Sequence, residues 1–310
     1  MMLENMLLVA SQVGTLFLMM GVGFLMAKKG RLTAETLSQL AYLLMTIISP
    51  CIIMDTLQAD RTPELVAAMG QGAVMMLVLY LIWFVAAIPM FRRQPEHSRC
   101  VLQFGVVYSN TGFMGLPLVH SVLGPQGMLF ATTPYVLFSA FSWSHGVALL
   151  GGRKNLKLSK MIFNPGIISC AIGLTLFFLD TRMPPMLGSA VHFLGSMNTP
   201  LAMVVIGGQM ALADLNAAVR DVRLYWASLA RLVLYPAILL IGLLPFQMDP
   251  MMYTTYVILA ATPAAGATAI FAQRFGRDSA IGAQLVTLST LFSIVTLPVF
   301  AALAQVLRPL

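Results

Sequence analysis

The feature that most constrains this chain is a series of long apolar runs, each near the length that crosses a bilayer, with the charge confined between them. They cover roughly 5–27, 37–58, 66–90, 100–122, 127–150, 161–179, 186–211, 224–246, 251–273 and 279–306. A hydrocarbon core about 30 Å thick takes roughly 20 residues of helix. Backbone polar groups in that solvent must be satisfied internally, which makes each run a helix. Only 9% of the residues are charged, against about 25% in a soluble domain. The expected fold class is therefore an all-α polytopic membrane protein of ten transmembrane helices, multi-pass in the cell (inner or plasma) membrane. The first run begins after Glu4 without a basic leader. It reads as a retained helix and not a cleaved signal peptide.

Two of the runs cannot be ordinary helices. Ser109-Asn110-Thr111-Gly112-Phe113-Met114-Gly115-Leu116-Pro117 sits in the middle of the fourth, and Ala261-Thr262-Pro263-Ala264-Ala265-Gly266-Ala267-Thr268 at the same depth in the ninth. Proline lacks the ladder donor and glycine weakens the helix. Freed backbone groups at that depth are tolerated only where protein or a watery cavity satisfies them. The expectation is a break near Gly112–Pro117 and another near Thr262–Gly266, the two crossing at a binding site. A close helix crossing built on small residues is the plainer reading of either stretch alone. What separates them is the pairing, since Thr262 and Gly266 lie 151 residues after Thr111 and Gly115, and Pro200 lies 150 after Pro50. Interrupted helices at corresponding positions of two halves point to a transporter's binding site.

The offset divides the chain into a first five-helix repeat at 1–150, a cytosolic linker at 151–160 and a second repeat at 161–310. Fourteen of the 18 basic residues follow odd-numbered runs: Lys28, Lys29, Arg31, Arg92, Arg93, Arg99, Arg153, Lys154, Lys157, Lys160, Arg220, Arg223, Arg274 and Arg277. Arg61, Arg182 and Arg308 lie on the other side, and Arg231 inside a run. The positive-inside rule then puts both termini on the non-cytosolic side. Five spans per repeat is an odd number, so the second repeat enters inverted. Asn164-Pro165-Gly166 opens the sixth run, with Asn164 as cap and Pro165 at the first helical position. The three cysteines, Cys51, Cys100 and Cys170, are scattered and imply neither a disulfide nor a metal framework.

Ser109 to Pro117, followed by Thr262-Pro263 and by Gln273-Arg274-Phe275-Gly276, resembles the auxin efflux carrier family over nearly the whole chain. That family includes bacterial dicarboxylate carriers and plant auxin carriers, and is related in architecture to bile-acid sodium symporters. The resemblance implies a scaffold from helices 1, 2, 6 and 7. It also implies a transport unit from helices 3–5 and 8–10, in which the broken helices 4 and 9 cross beside the substrate. The long cytosolic loop of the larger plant members is missing here.

Each break should present unpaired N–H groups and a positive dipole end. Asn110, Thr111 and Thr262 add uncharged donors, and Gly112, Gly115, Pro117, Pro263 and Gly266 shape the backbone. Such a site favours a small organic anion, most plausibly a carboxylate. Arg231 is the one arginine inside a run, with the substrate carboxylate or Asp55 as its partner, or else it snorkels to the cytosolic headgroups. His120, His145 and His192 are titratable or simply packed. Gln103, Gln209 and Gln284 line a polar path or bridge helices. No carboxylate lies at mid-depth, which leaves a buried acidic proton relay without support, and coupling to a proton or to sodium stays open. No cofactor, no nucleic acid and no catalytic set is expected; the bilayer and a second copy in a homodimer are the expected partners. An alternating-access carrier is the leading reading, with a channel-like or sensor membrane protein as the alternative.

Overall fold

The computed structural model describes residues 2–152 and 165–309. Most of the expected 151–160 linker and the Asn164 cap lie outside the described residues. Among those described, the chain is all helix: α1 Met2–Lys28, α2 Ala34–Thr56, α3 Pro63–Ala87, α4 Glu96–Val107, α5 Leu116–Phe141, α6 Pro165–Phe178, α7 Pro185–Leu212, α8 Leu215–Arg220, α9 Val222–Gly242, α10 Pro250–Ala261, α11 Ala267–Arg274 and α12 Ser279–Leu307. Six of these, α1, α2, α3, α7, α9 and α12, are each long and apolar enough to cross a membrane, and α6 is a shorter apolar helix. Leu18, Val74, Val85, Ile241 and Val295 point outward on four of them. A water-soluble monomer rarely shows such apolar faces; hydrocarbon is their natural solvent.

The helix starts follow local chemistry. Thr33, Thr62, Asp214, Asp249 and Asp278 each accept a backbone N–H from the first turn that follows them. Gly124 turns α5 sharply with φ 65° and ψ −160°, a backbone open to glycine, and Pro125 restarts the helix behind it. The part after this turn runs on through Ser142–Gly146 and Val147–Gly151.

Helices α1 and α7 form the closest crossing. A methyl on Gly23 would collide with the Val204 carbonyl, and one on Gly207 with the Met20 carbonyl. Small residues let backbones approach where no hydrophobic force drives helices together. The far side of the molecule is organised by α12, which packs on α1, α9, α10 and α11.

Among the described residues four wide turns with i→i+5 bonding interrupt the helices. Ser49 N bonds Leu44 O in α2, Leu116 N bonds Thr111 O ahead of α5, and Tyr235 N bonds Ala230 O in α9. The fourth is Ser142–Gly146. Such bulges re-aim side chains and cluster at functional sites. Here three of the four, those at Leu44–Ile48, Thr111–Gly115 and Ser142–Gly146, line one cavity.

Candidate functional site

Helices α4 and α10 both stop in the middle of the protein. After Val107, Tyr108 turns extended; after Ala261, Thr262 does the same ahead of Pro263, which has no N–H to donate. The two extended stretches then pair with each other. Asn110 N donates to Pro263 O at 2.8 Å and Ala265 N to Tyr108 O at 2.9 Å, an antiparallel bridge of Ser109 with Ala264. Ala264 N is taken by Ser289 Oγ of α12 at 3.1 Å. Each break thus satisfies backbone groups that the other leaves free, as a nonpolar surrounding requires.

The first break lies earlier than expected, at Tyr108–Asn110 and not at Gly112–Pro117. The reason is the wide turn: Asn110 O accepts both Met114 N at 3.1 Å and Gly115 N at 2.9 Å, so the helix has already restarted at Thr111. Pro117 follows directly after the wide turn, at the start of the regular helix α5.

A cavity of about 60 Å³ lies beside this crossing, lined by Ser49, Asn110, Gly112, Tyr135, Ser142 and Gly266 and walled by Phe113, Phe138, Trp143 and Phe271. Among the described residues no charged side chain lines it. Asn110 is 3% exposed, and among the described residues its Nδ2 has no partner. The cavity borders the start of the turn Thr111–Gly115 and, through Ala267, the start of α11. The first N–H groups of a helix have no acceptor within it. An uncompensated amide donor and two positive helix ends therefore lie beside a pocket that, among the described residues, carries no charge. Its chemistry suits a small anion with an apolar body.

Two larger cavities flank it. One of about 300 Å³, lined by Ser38, Gln209, Gln273 and Thr287, also reaches Gly266. The other, of about 670 Å³, is lined by Asp55, Pro117, His120, His192 and Thr199.

The expected site residues divide accordingly. Asn110, Gly112 and Gly266 meet at the central cavity. Thr111 shares a hydrogen bond with Ser109 Oγ at 2.9 Å, and Thr262 Oγ1 donates to Leu259 O at 2.8 Å, which closes the end of its own helix. Gly115 makes room for the crossing, since a Cβ there would fall 2.7 Å from Leu259 Cδ2. Pro263 contributes its carbonyl to the bridge, and Pro117 lines the cavity of about 670 Å³.

Arg231 goes neither to Asp55 nor to the surface. It is 0% exposed; its Nη1 donates to Val106 O at 3.0 Å and Val107 O at 3.1 Å, and its Nη2 to Ala260 O. Asp55 instead meets His192 Nδ1 at 2.9 Å. Gln103 caps the end of α3 through the Ala87 and Met90 carbonyls, both at 3.0 Å.

Sequence reasoning missed Ser49, Tyr135, Ser139, Ser142 and Trp143. The signal was present for three of them: Tyr135, Ser139 and Ser142 are spaced i, i+4, i+7, a polar stripe along an otherwise apolar helix. Ser49 Oγ donates to Asn198 Oδ1 at 2.9 Å, which ties the bends of α2 and α7 ahead of Pro50 and Pro200.

The sequence profile of the family described as "Membrane transport protein" matches residues 8–159 and 153–301. A protein of Rhizobium meliloti (strain 1021) named "Putative malonate transporter" is 26% identical over 224 residues, 68% of this chain and 69% of its own length. A Methanothermobacter thermautotrophicus protein named "Uncharacterized transporter" is 21% identical over 287 residues, 90% of this chain and 93% of its own.

Proposed function

This chain belongs to the membrane transport protein family, that of the auxin efflux carriers, and from that premise we propose that it is a secondary carrier moving a small organic anion by alternating access. Family membership makes it a multi-pass membrane transporter and not an enzyme. The finer reading has ten spans in two inverted repeats, both termini outside, and the substrate at the crossing of the fourth and ninth. Within it α4 with the first part of α5 is the fourth span, and α10 with α11 is the ninth.

The observation that carries the anion is the Asn110 amide, unpartnered among the described residues, beside a cavity they leave uncharged and beside two helix starts. Each helix end contributes ~0.3–2 kcal/mol to an anion. Desolvating a carboxylate costs several kcal/mol, so a directed donor must supply the difference. A relative named for malonate makes a small dicarboxylate the first substrate to try. Substrate-binding roles are assigned to Asn110, Gly112 and Gly266 at the cavity, with Thr111, Gly115, Pro117, Thr262 and Pro263 shaping the crossing.

The test is uptake of radiolabelled malonate into proteoliposomes, with unlabelled malonate and its neutral diamide as competitors. Saturable uptake without ionic conductance, blocked by the acid and not by the diamide, is expected. Equal competition by the diamide removes the anion site, and a single-channel conductance removes the carrier.

A further inference from the structure

The three carbonyls that hold Arg231 belong to the C-terminal ends of both interrupted helices: Val106 and Val107 end α4, and Ala260 ends α10. In carriers with discontinuous helices, such ends and unwound carbonyls are where a coupling cation is coordinated. Here a guanidinium already fills them. Among the described residues Arg231 has no carboxylate partner. The faces of Trp83 and Tyr235 flank it, 5.6 and 5.5 Å from ring centroid to Cζ, and the Tyr235 hydroxyl is anchored on Trp83 O at 2.8 Å. The charge balance is nonetheless closed. A helix C-terminus carries about half a negative charge, so two of them offset about one arginine.

We infer that Arg231 is a built-in cation standing where a transported or coupling cation would otherwise bind, and that the carrier works without sodium. This rests on the carrier reading above. Arginine stays charged at any physiological pH, so the two C-terminal ends stay neutralised through the whole cycle. That matters for an anion at the opposite, N-terminal side of the same breaks. Without the guanidinium, two unscreened negative helix ends would face the substrate through a low-dielectric interior. Arg231 is thus a positioning residue: it locks the two ends together and removes a repulsion, and it touches no substrate. Arg231 lies on the buried stripe of its helix with Leu224, Ala227 and Ser228, opposite the outward-facing Leu229 and Val233.

The first experiment needs neither a variant nor a substrate. Thermal unfolding of the purified protein is measured in sodium, potassium and N-methylglucamine chloride at equal ionic strength. Equal melting temperatures are expected; a saturable rise specific to sodium in the wild-type protein overturns the inference. Malonate uptake is then measured with and without a sodium gradient at clamped voltage. Rates equal within about twofold are expected, and gradient-driven accumulation overturns the inference. A protein that carries no carboxylate at all would defeat the carrier reading while the melting series still decides on the cation.

Arg231→Gln and Arg231→Lys complete the test. The lysine variant keeps a cation at the carbonyls and should stay indifferent to sodium. The glutamine variant vacates the charge. It should gain a sodium-specific rise in melting temperature and lose malonate affinity by about tenfold or more, through the repulsion of two uncovered helix ends. A folded Arg231→Gln protein with unchanged affinity and no response to sodium overturns the proposal. Should that variant not fold, the wild-type and lysine series decide it.

Discussion

An amide N–H left without a partner in a nonpolar interior costs ~1–3 kcal/mol, and Asn110 Nδ2 is such a group. In the empty protein it is a burden, and a ligand that accepts its hydrogen bond removes the burden. Asn110→Ala should therefore leave the melting temperature of the ligand-free protein unchanged or slightly raised. Affinity for malonate should fall roughly ten- to hundredfold, the equivalent of a charge-assisted bond of ~1.5–3 kcal/mol. Titration calorimetry on the two proteins checks both halves. Thr262→Val is the contrasting case. Its hydroxyl is already spent on Leu259 O, so it should change affinity by less than about threefold, the ~0.5–1 kcal/mol of a neutral bond. Equal losses in the two variants would mean that Asn110 supports the fold and not the ligand.

Among helices, the two breaks work because their backbones complete each other, and the rest of the bundle must hold them in register. The α1–α7 crossing is the tightest such constraint, with Gly23 and Gly207 each closing on an opposing carbonyl. Gly207→Val forces backbone against backbone, with no flexible side chain to yield. It should destabilise the protein by at least the ~1–3 kcal/mol of ordinary overpacking, read as a lowered melting temperature in detergent. Gly14 lies on α1, where an added Cβ would meet only open space. Gly14→Ala should be neutral or stabilising by up to ~1 kcal/mol, as at any exposed helix interior. If both substitutions behave alike, the close crossing is not what holds α1 to α7.

On the scale of the whole molecule, the proposed orientation puts both termini outside and the Arg153–Lys160 segment in the cytosol, from the 14 of 18 basic residues on that side. In a cysteine-free background, Leu156→Cys should resist an impermeant maleimide added to intact cells and react after permeabilisation. Labelling of intact cells would reverse the orientation and, with it, the side from which each cavity opens.

The sequence alone determined that this chain is a bundle of apolar helices, that two of them are interrupted, and roughly where. Hydropathy, proline and glycine act within a few residues of themselves, so their consequences can be read locally. Tertiary structure decided the rest. The first break moved back to Tyr108–Asn110 because Asn110 O takes two N–H groups in a wide turn, a bonding choice that residue types do not announce. Thr262, expected to face a ligand, turned to its own helix, while Ser49, Tyr135 and Ser142 entered the cavity from other helices. Arg231 shows the difference most plainly. Its place inside an apolar run marked it as costly and functional, but its partners are carbonyls 124, 125 and 29 residues away. A buried charge is settled by whatever compensates it, and only the packed fold brings two helix ends to one guanidinium.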